Sequence, residues 1–395
     1  MNYSKTGFDY DPMKFLRCHS RNNDSADSQT QVWDCAFEPL DGDFLDSYIV
    51  ATCGGNSVCF IDCVTTKVLS KYYTKDLSVL LFTLAWTKLP VGGEKKLLLV
   101  TGGAKGTLYI IDYSDNVCIL EYQLKCKRNV FINTLCFHPT DHGILFCGTS
   151  NGEIRICELK KYLKEPKKID FVINNCISIE NEVFDFAFCL NTKLLLSSCN
   201  DSIMSFFLPT KEIVRASSEI KGIKIKIANG GNNTSKLVDS VEVLKEGLIA
   251  CKYALHSCIY ICDLKPLRDA LHECNEIDSF ELEPLHILKW SSTDNYFMYM
   301  GVNIKSSLLC CGDDKGSLWL YGLQEIFQSS ASTERNIEPS AIIPWPYLTD
   351  HYNDKKRKLN LNVYDIVIDK VVVHSSGEFI VAVTNNNLVC IWRKT

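Results

Sequence analysis

The sequence has 395 residues, 46% of them hydrophobic and 23% charged, with a net charge of −5 and a pI near 5.9. That balance suits a globular chain with a large core and excludes a nucleic-acid binder working by bulk positive charge. No apolar run approaches the roughly 18 residues of a membrane-spanning helix, and the opening MNYSKTGFDYDP lacks the apolar centre of a signal peptide.

In chain order, KFLRCHS (14–20) is the first strand-like run, followed by a polar loop (20–31) and QVWDCAFEP (31–39). Then comes a pattern of apolar run, tight turn and alternating strand, in YIVATCGGNSVCFID (48–62), LLLVTGGAKGTLYIID (97–112) and ILFCGTSNGEIRICE (144–158). Weaker copies are LLLSSCNDSIMSFF (194–207), LIACKYALHSCIYICD (248–263), LLCCGDDKGSLWLYG (308–322) and FIVAVTNNNLVCIW (379–392). Each is a hairpin. The equivalent positions Val58, Leu108, Ile154, Ile203, Ile259, Leu318 and Val389 recur every 46 to 71 residues. Periods of this size, with about four short strands per unit, predict an all-β, seven-bladed WD40-like β-propeller.

The predicted blades are roughly 32–75, 80–125, 130–175, 182–228, 237–288, 295–348 and 363–395, after an N-terminal tail of residues 1–13. The run 14–20 is predicted to complete the last blade and clasp the ring, which removes a sheet edge that would invite aggregation. Segments 20–31, 211–236 and 324–340 are expected as surface excursions. Most of the twenty cysteines fall inside apolar strand-like runs, where a thiol is a small hydrophobe. No CxxC pair occurs, so zinc spacing is missing, and reduced thiols in the cytosol or nucleus are expected.

Counting four positions back from the last apolar residue of each first strand selects Trp33, Phe82, Asn133, Phe184, Asp239, Phe297 and Asp369, with blades 6 and 7 open to a shift of one. In a propeller these strand starts ring one mouth of the central channel. Trp33, Phe82, Phe297, the neighbouring Tyr296 and the carboxylate of Asp369 come from adjacent blades and suit a bulky, weakly hydrated cation such as trimethyl-lysine. Each ring face contributes roughly 0.5–2 kcal/mol to such binding. Phe184 is expected to fill space between blades.

The runs FLRCHSRN, TQVWDCAFEP, IVATCGGNSVCFIDC, LAWT, TLCFHP, LKWSSTD and LLCCGDDKGSLWLY resemble the propeller of the leucine-rich repeat and WD repeat-containing proteins, which associate with the origin recognition complex. More distantly the chain is similar to EED, the propeller subunit of a Polycomb repressive complex, which carries an aromatic cage for trimethyl-lysine. The positions matching that cage are Trp33, Phe82, Phe297 and Tyr296. The resemblance implies a nuclear, chromatin-associated protein that binds trimethylated histone tails and origin recognition complex subunits in heterochromatin and replication licensing. The leucine-rich repeat region of that family is missing from these residues, so contacts made through it are not carried over from the resemblance. A generic WD40 assembly scaffold or substrate adaptor without mark recognition is the alternative.

The loop DKKRKLN, with Lys355, Lys356, Arg357 and Lys358, reads equally as a short nuclear-import signal or a solvated loop, and its positive charge suits contact with nucleosomal DNA or an acidic partner. His138 and His142 lie in a Pro-containing turn, not on a helix that would aim both at a metal. GGAKG (102–106) joins two strands and is expected as a hairpin turn, and Trp345 is expected on an edge strand. No catalytic constellation, cofactor motif or metal-ligand spacing is present, and a non-enzyme without cofactor is expected.

Overall fold

The computed structural model describes residues 7–21, 24, 26–41, 45–91, 94–125, 129–161, 169–210, 220–228, 235–245, 247–273, 277–329, 336–346 and 366–395. The basic residues Lys355, Lys356, Arg357 and Lys358 lie outside them.

The described strands form seven sheets arranged as propeller blades. Blade 1 is a meander of Val32–Pro39, Asp46–Gly54, Ser57–Asp62 and Lys67–Tyr73, each antiparallel to the next. Its middle strands are buried on both faces, because each blade packs against two neighbours. Cysteines sit inside these inter-blade cores: Cys35 and Cys59 of blade 1 share a cluster with Phe379, Val381 and Ile391 of blade 7. The described cysteines are free thiols.

Ring closure uses the N-terminus, as expected, but the strand runs Tyr10–Leu16, four residues earlier than 14–20, so part of the predicted tail belongs to blade 7. It pairs antiparallel with Val389–Lys394, from Tyr10 opposite Lys394 to Leu16 opposite Val389. Residues 17–20 leave the strand because His19 and Ser20 are held elsewhere: the His19 amide donates to Asn387 Oδ1, and Asn387 Nδ2 donates to Ser20 Oγ.

Blades 4 and 5 each gain a fifth strand. After strand Cys258–Asp263 the chain forms helix Lys265–Glu273, then lays Ser279–Leu282 parallel on the outer strand of blade 4 before returning to blade 5. After Leu318–Gly322 it forms helix Leu323–Ser329 and lays Asn336–Ile337 parallel on blade 5. The expected excursion at 324–340 thus begins as a helix and ends covering an exposed edge. Trp345 lies beyond strand Ala341–Ile343 rather than on it, and stacks on Phe15 of the clasp at 5.0 Å.

Candidate functional site at the channel mouth

Six of the seven selected strand-start positions are the extra residues of β-bulges. The pairing register skips Trp33, Phe82, Asn133, Phe184, Asp239 and Asp369, one in each of blades 1, 2, 3, 4, 5 and 7. A bulge removes a residue from the ladder, sharpens the local twist and re-aims its side chain. Blade 6 differs. Its first strand shrinks to Gly301–Asn303, and continuing the register from Gly301 opposite Cys310 makes Met298 the equivalent position. Phe297 is therefore one residue out of line, with a left-handed φ of 62°.

Hydrogen bonds stitch the first strands together round the mouth. Asp34 accepts from the Leu84 amide and Thr83 Oγ1 at 2.9 and 3.1 Å, and Asp185 accepts from the Val241 amide and Ser240 Oγ at 3.1 and 3.3 Å, the same inter-blade link in two places. Asn133 Nδ2 donates to Val183 O, the Tyr299 amide to Asp369 O, and Gln31 Nε2 to Asp369 Oδ1. Gly301 permits the tight junction of blades 6 and 7, since a Cβ there would lie 2.2 Å from Val371 O.

The aromatic residues fall into two groups. The rings of Trp33 and Phe82 meet edge to face at 5.4 Å, both partly exposed, and Phe82 meets Phe131 at 5.9 Å. Phe297 packs at 5.0 Å on Phe184 of blade 4, with Tyr296 at 6.2 Å from it. Among the described residues no ring contact joins the two groups. Phe184, 4% exposed, is packed directly against the candidate residue Phe297. Phe131, 45% exposed, precedes the bulge by two positions, the offset that Gln31 has from Trp33 and Tyr296 from Met298, and the count to the bulge itself passes over it.

Asp369 is 2% exposed, and among the described residues its Oδ2 has no hydrogen-bond partner. Burial holds its carboxyl well above the usual range, only partly offset by the Gln31 hydrogen bond, so it presents no surface charge to the mouth. The expectation of a carboxylate beside the rings fails here because the position is sealed. Asp239 is also sealed: it accepts from Lys252 Nζ and from the Phe297 amide.

Below the mouth lies a cavity of about 290 Å³ lined by Asp34, Thr83, Thr134, Asp185, Glu242 and Lys370, among others. Burial pushes the Glu242 carboxyl up to about 8 and Asp185 to about 6, with the Lys370 charge opposing in both. Lys370 Nζ lies 5.4 Å from the Tyr299 ring centre. The signal for this tier is readable: one residue after each bulge stands a polar side chain, Asp34, Thr83, Thr134, Asp185, Ser240 or Lys370.

His138 is buried, its Nδ1 accepting from the Thr140 and Asp141 amides within the expected turn. GGAKG is a hairpin turn closed by one 3-10 turn, Ala104–Gly106.

Seven blades built on antiparallel meanders and closed by an N-terminal strand, around a mouth of bulged strand starts, define a WD-type β-propeller. The chain belongs to the family of the WD domain of leucine-rich repeat and WD repeat-containing protein 1, whose sequence pattern it matches over residues 3–395. Proteins of that name from Xenopus tropicalis, Mus musculus and Homo sapiens are 29%, 28% and 27% identical to it over 97% of its length. The chain spans 55% to 58% of those relatives. Among solved structures, the Chaetomium thermophilum Polycomb Repressive Complex 2 contains similar chains. An apo, autoinhibited form and a humanized mutant bound to the inhibitor GSK126 both give a TM-score of 0.70 at 13% identity, over 98% of this chain and 98% and 97% of theirs. At that identity the likeness concerns the fold.

Proposed function

We propose that this propeller is a non-enzymatic chromatin reader and scaffold in the nucleus, taking the trimethylammonium group of a histone-tail lysine at the bulged mouth. The observation that carries this reading is the partly exposed edge-to-face pair of Trp33 and Phe82. A trimethylammonium donates no hydrogen bonds and is weakly hydrated, so ring faces are its proper partners, while an unmodified lysine loses more hydration on entry. Phe297 and Tyr296, in their separate group against Phe184, would add ring contacts from the blade 6 side. Asp369 contributes by holding Gln31 and the Tyr299 amide rather than by charge. Origin recognition complex subunits would occupy other surfaces of the propeller, and the basic loop at 355–358 would add contact to nucleosomal DNA or serve nuclear import.

The contact of Phe297 with Phe184 favours a second reading, an assembly scaffold without mark recognition, in which the rings are packing. Peptide titration separates the two. Affinity for trimethylated over unmodified histone tails should exceed about tenfold, and Trp33→Ala or Phe82→Ala should abolish the difference. Equal affinity for both peptides leaves the scaffold.

A further inference from the structure

The N-terminal clasp meets blade 1 at a cluster that the channel mouth does not use. Cys18 follows the clasp strand and keeps some exposure as a residue, although the cluster its sulfur joins is buried, and Cys59 lies in strand Ser57–Asp62 with no exposure. Their sulfurs and a ring nitrogen of His19 all lie within 4.8 Å of one another, and Cys59 Sγ donates to Cys18 O at 3.2 Å.

Two cysteines and a histidine suggest a metal, but the histidine is already committed. Its Nδ1 stands 3.2 Å from Gly54 O, which can only accept, and 2.9 Å from Ser57 Oγ, so Nδ1 carries the proton. Its Nε2 accepts from Thr52 Oγ1 at 2.8 Å. Neither nitrogen has a lone pair to give. What remains is a thiol pair beside an imidazole N–H, 3.9 Å from Cys59 Sγ.

We infer that Cys18 and Cys59 form a peroxide-sensitive thiol pair whose disulfide locks the N-terminal clasp of blade 7 onto blade 1. The roles are unequal. The neighbouring Cys59 side chain, with His19 assisting against burial, holds the Cys18 thiol well below its usual range, while burial raises Cys59. Cys18 is therefore the attacking thiolate and Cys59 the resolving thiol. The Cys18 sulfur attacks one oxygen of hydrogen peroxide, the O–O bond breaks and hydroxide leaves to be protonated to water, giving a sulfenic acid. The Cys59 sulfur then attacks the Cys18 sulfur, the S–O bond breaks, and the departing hydroxide takes the Cys59 proton as a second water. Two thiols and one peroxide become one disulfide and two waters.

The disulfide would join segments that already close the ring. Among the described residues the clasp strand is hydrogen-bonded to blade 7 alone, while residues 18–20 reach Ser57 of blade 1 and Asn387. A covalent link would hold the clasp on both sides.

The test uses the 395-residue chain, dilute hydrogen peroxide and peptide mapping without reductant. A Cys18–Cys59 peptide should be the first product, reversed by dithiothreitol and accompanied by a rise of a few degrees in the unfolding midpoint. Cys176 is exposed and serves as the internal comparison: Cys18 should oxidise about tenfold faster or more. In Cys59→Ser the sulfenic acid at Cys18 should be trapped by dimedone and the midpoint should not rise. Cys18→Ser should leave Cys59 unoxidised. Oxidation of Cys18 no faster than Cys176, or over-oxidation of Cys18 in the unaltered protein without the cross-link, overturns the assignment.

Discussion

Lys252 Nζ lies 2.6 Å from both carboxylate oxygens of Asp239, and neither side chain keeps any solvent exposure. Asp239 is the bulged residue of blade 5, and its Oδ2 also accepts the amide of Phe297 at 3.0 Å. The pair therefore fixes a candidate site residue in left-handed backbone, while the Trp290 ring covers the ammonium at 4.7 Å. Removing one partner leaves a buried charge uncompensated, which costs about 3–5 kcal/mol. Lys252→Met should lose that much in urea denaturation, and Lys252→Met with Asp239→Asn should recover most of it. Equal loss in the single and double variants would mean the pair is ordinary packing.

Phe131 offers a cleaner probe of the mouth than the bulged rings. It is 45% exposed, so Phe131→Ala should change stability by less than about 0.5 kcal/mol. If its face joins Phe82 and Trp33 around a cation, the variant should weaken trimethylated-peptide binding about two- to fivefold, matching roughly 0.5–1 kcal/mol for an exposed ring. Calorimetric titration reads both peptides. An unchanged affinity would place Phe131 outside the site.

These residues also show where the sequence is legible. The repeat is visible because each blade must bury both faces of its middle strands, so apolar run, turn and alternating strand recur together. The mouth is visible for a stricter reason: the bulge sits at one fixed offset, and counting from the core residues Phe37 and Trp86 arrives at Trp33 and Phe82. Blade 6 breaks the count because its first strand is short and Phe297 takes a left-handed turn. The burial of Asp369 is not legible, since a polar residue at a ring position reads the same whether it faces solvent or Gln31. The parallel strands Ser279–Leu282 and Asn336–Ile337 escape the sequence because they pair with a neighbouring blade, and local periodicity carries no information on the partner.

The channel predicts a pH dependence. Glu242 is pushed up to about 8 and Asp185 to about 6, both above their unfolded values near 4. Between those limits the folded protein holds more protons than the unfolded chain, so their contribution falls as pH rises from about 4 to 8. Below about pH 4 both states are protonated and the penalty is absent; above the folded values it is complete. Asp34, also raised by burial, adds in the same direction, and the Lys370 charge opposes it. Glu242→Gln should therefore raise the unfolding midpoint at pH 8.5, leave it nearly unchanged at pH 4, and flatten the slope between. A uniform shift at all pH values would show that Glu242 is not the titrating group.

The clasp supplies the last test, because it can be weakened without touching the mouth. Tyr10 Oη donates to Gly377 O at 2.6 Å in a buried setting, and burial raises its pKa so that the phenol stays protonated and donating at neutral pH. Tyr10→Phe leaves Gly377 O unpaired and should cost about 1–2 kcal/mol. Trp392, fully buried on the strand that receives the clasp, is packed against Phe15, yet among the described residues its Nε1 has no partner. Trp392→Ala should cost about 3–5 kcal/mol for the cavity. Trp392→Phe sheds an orphaned donor along with part of the ring and should cost clearly less. Because the clasp closes the ring, both Tyr10→Phe and Trp392→Phe should speed proteolysis at residues 7–21 before any other segment is cut. Peptide affinity at the mouth should hold while the ring stays folded. Cleavage beginning elsewhere would show that closure is not the first contact to open.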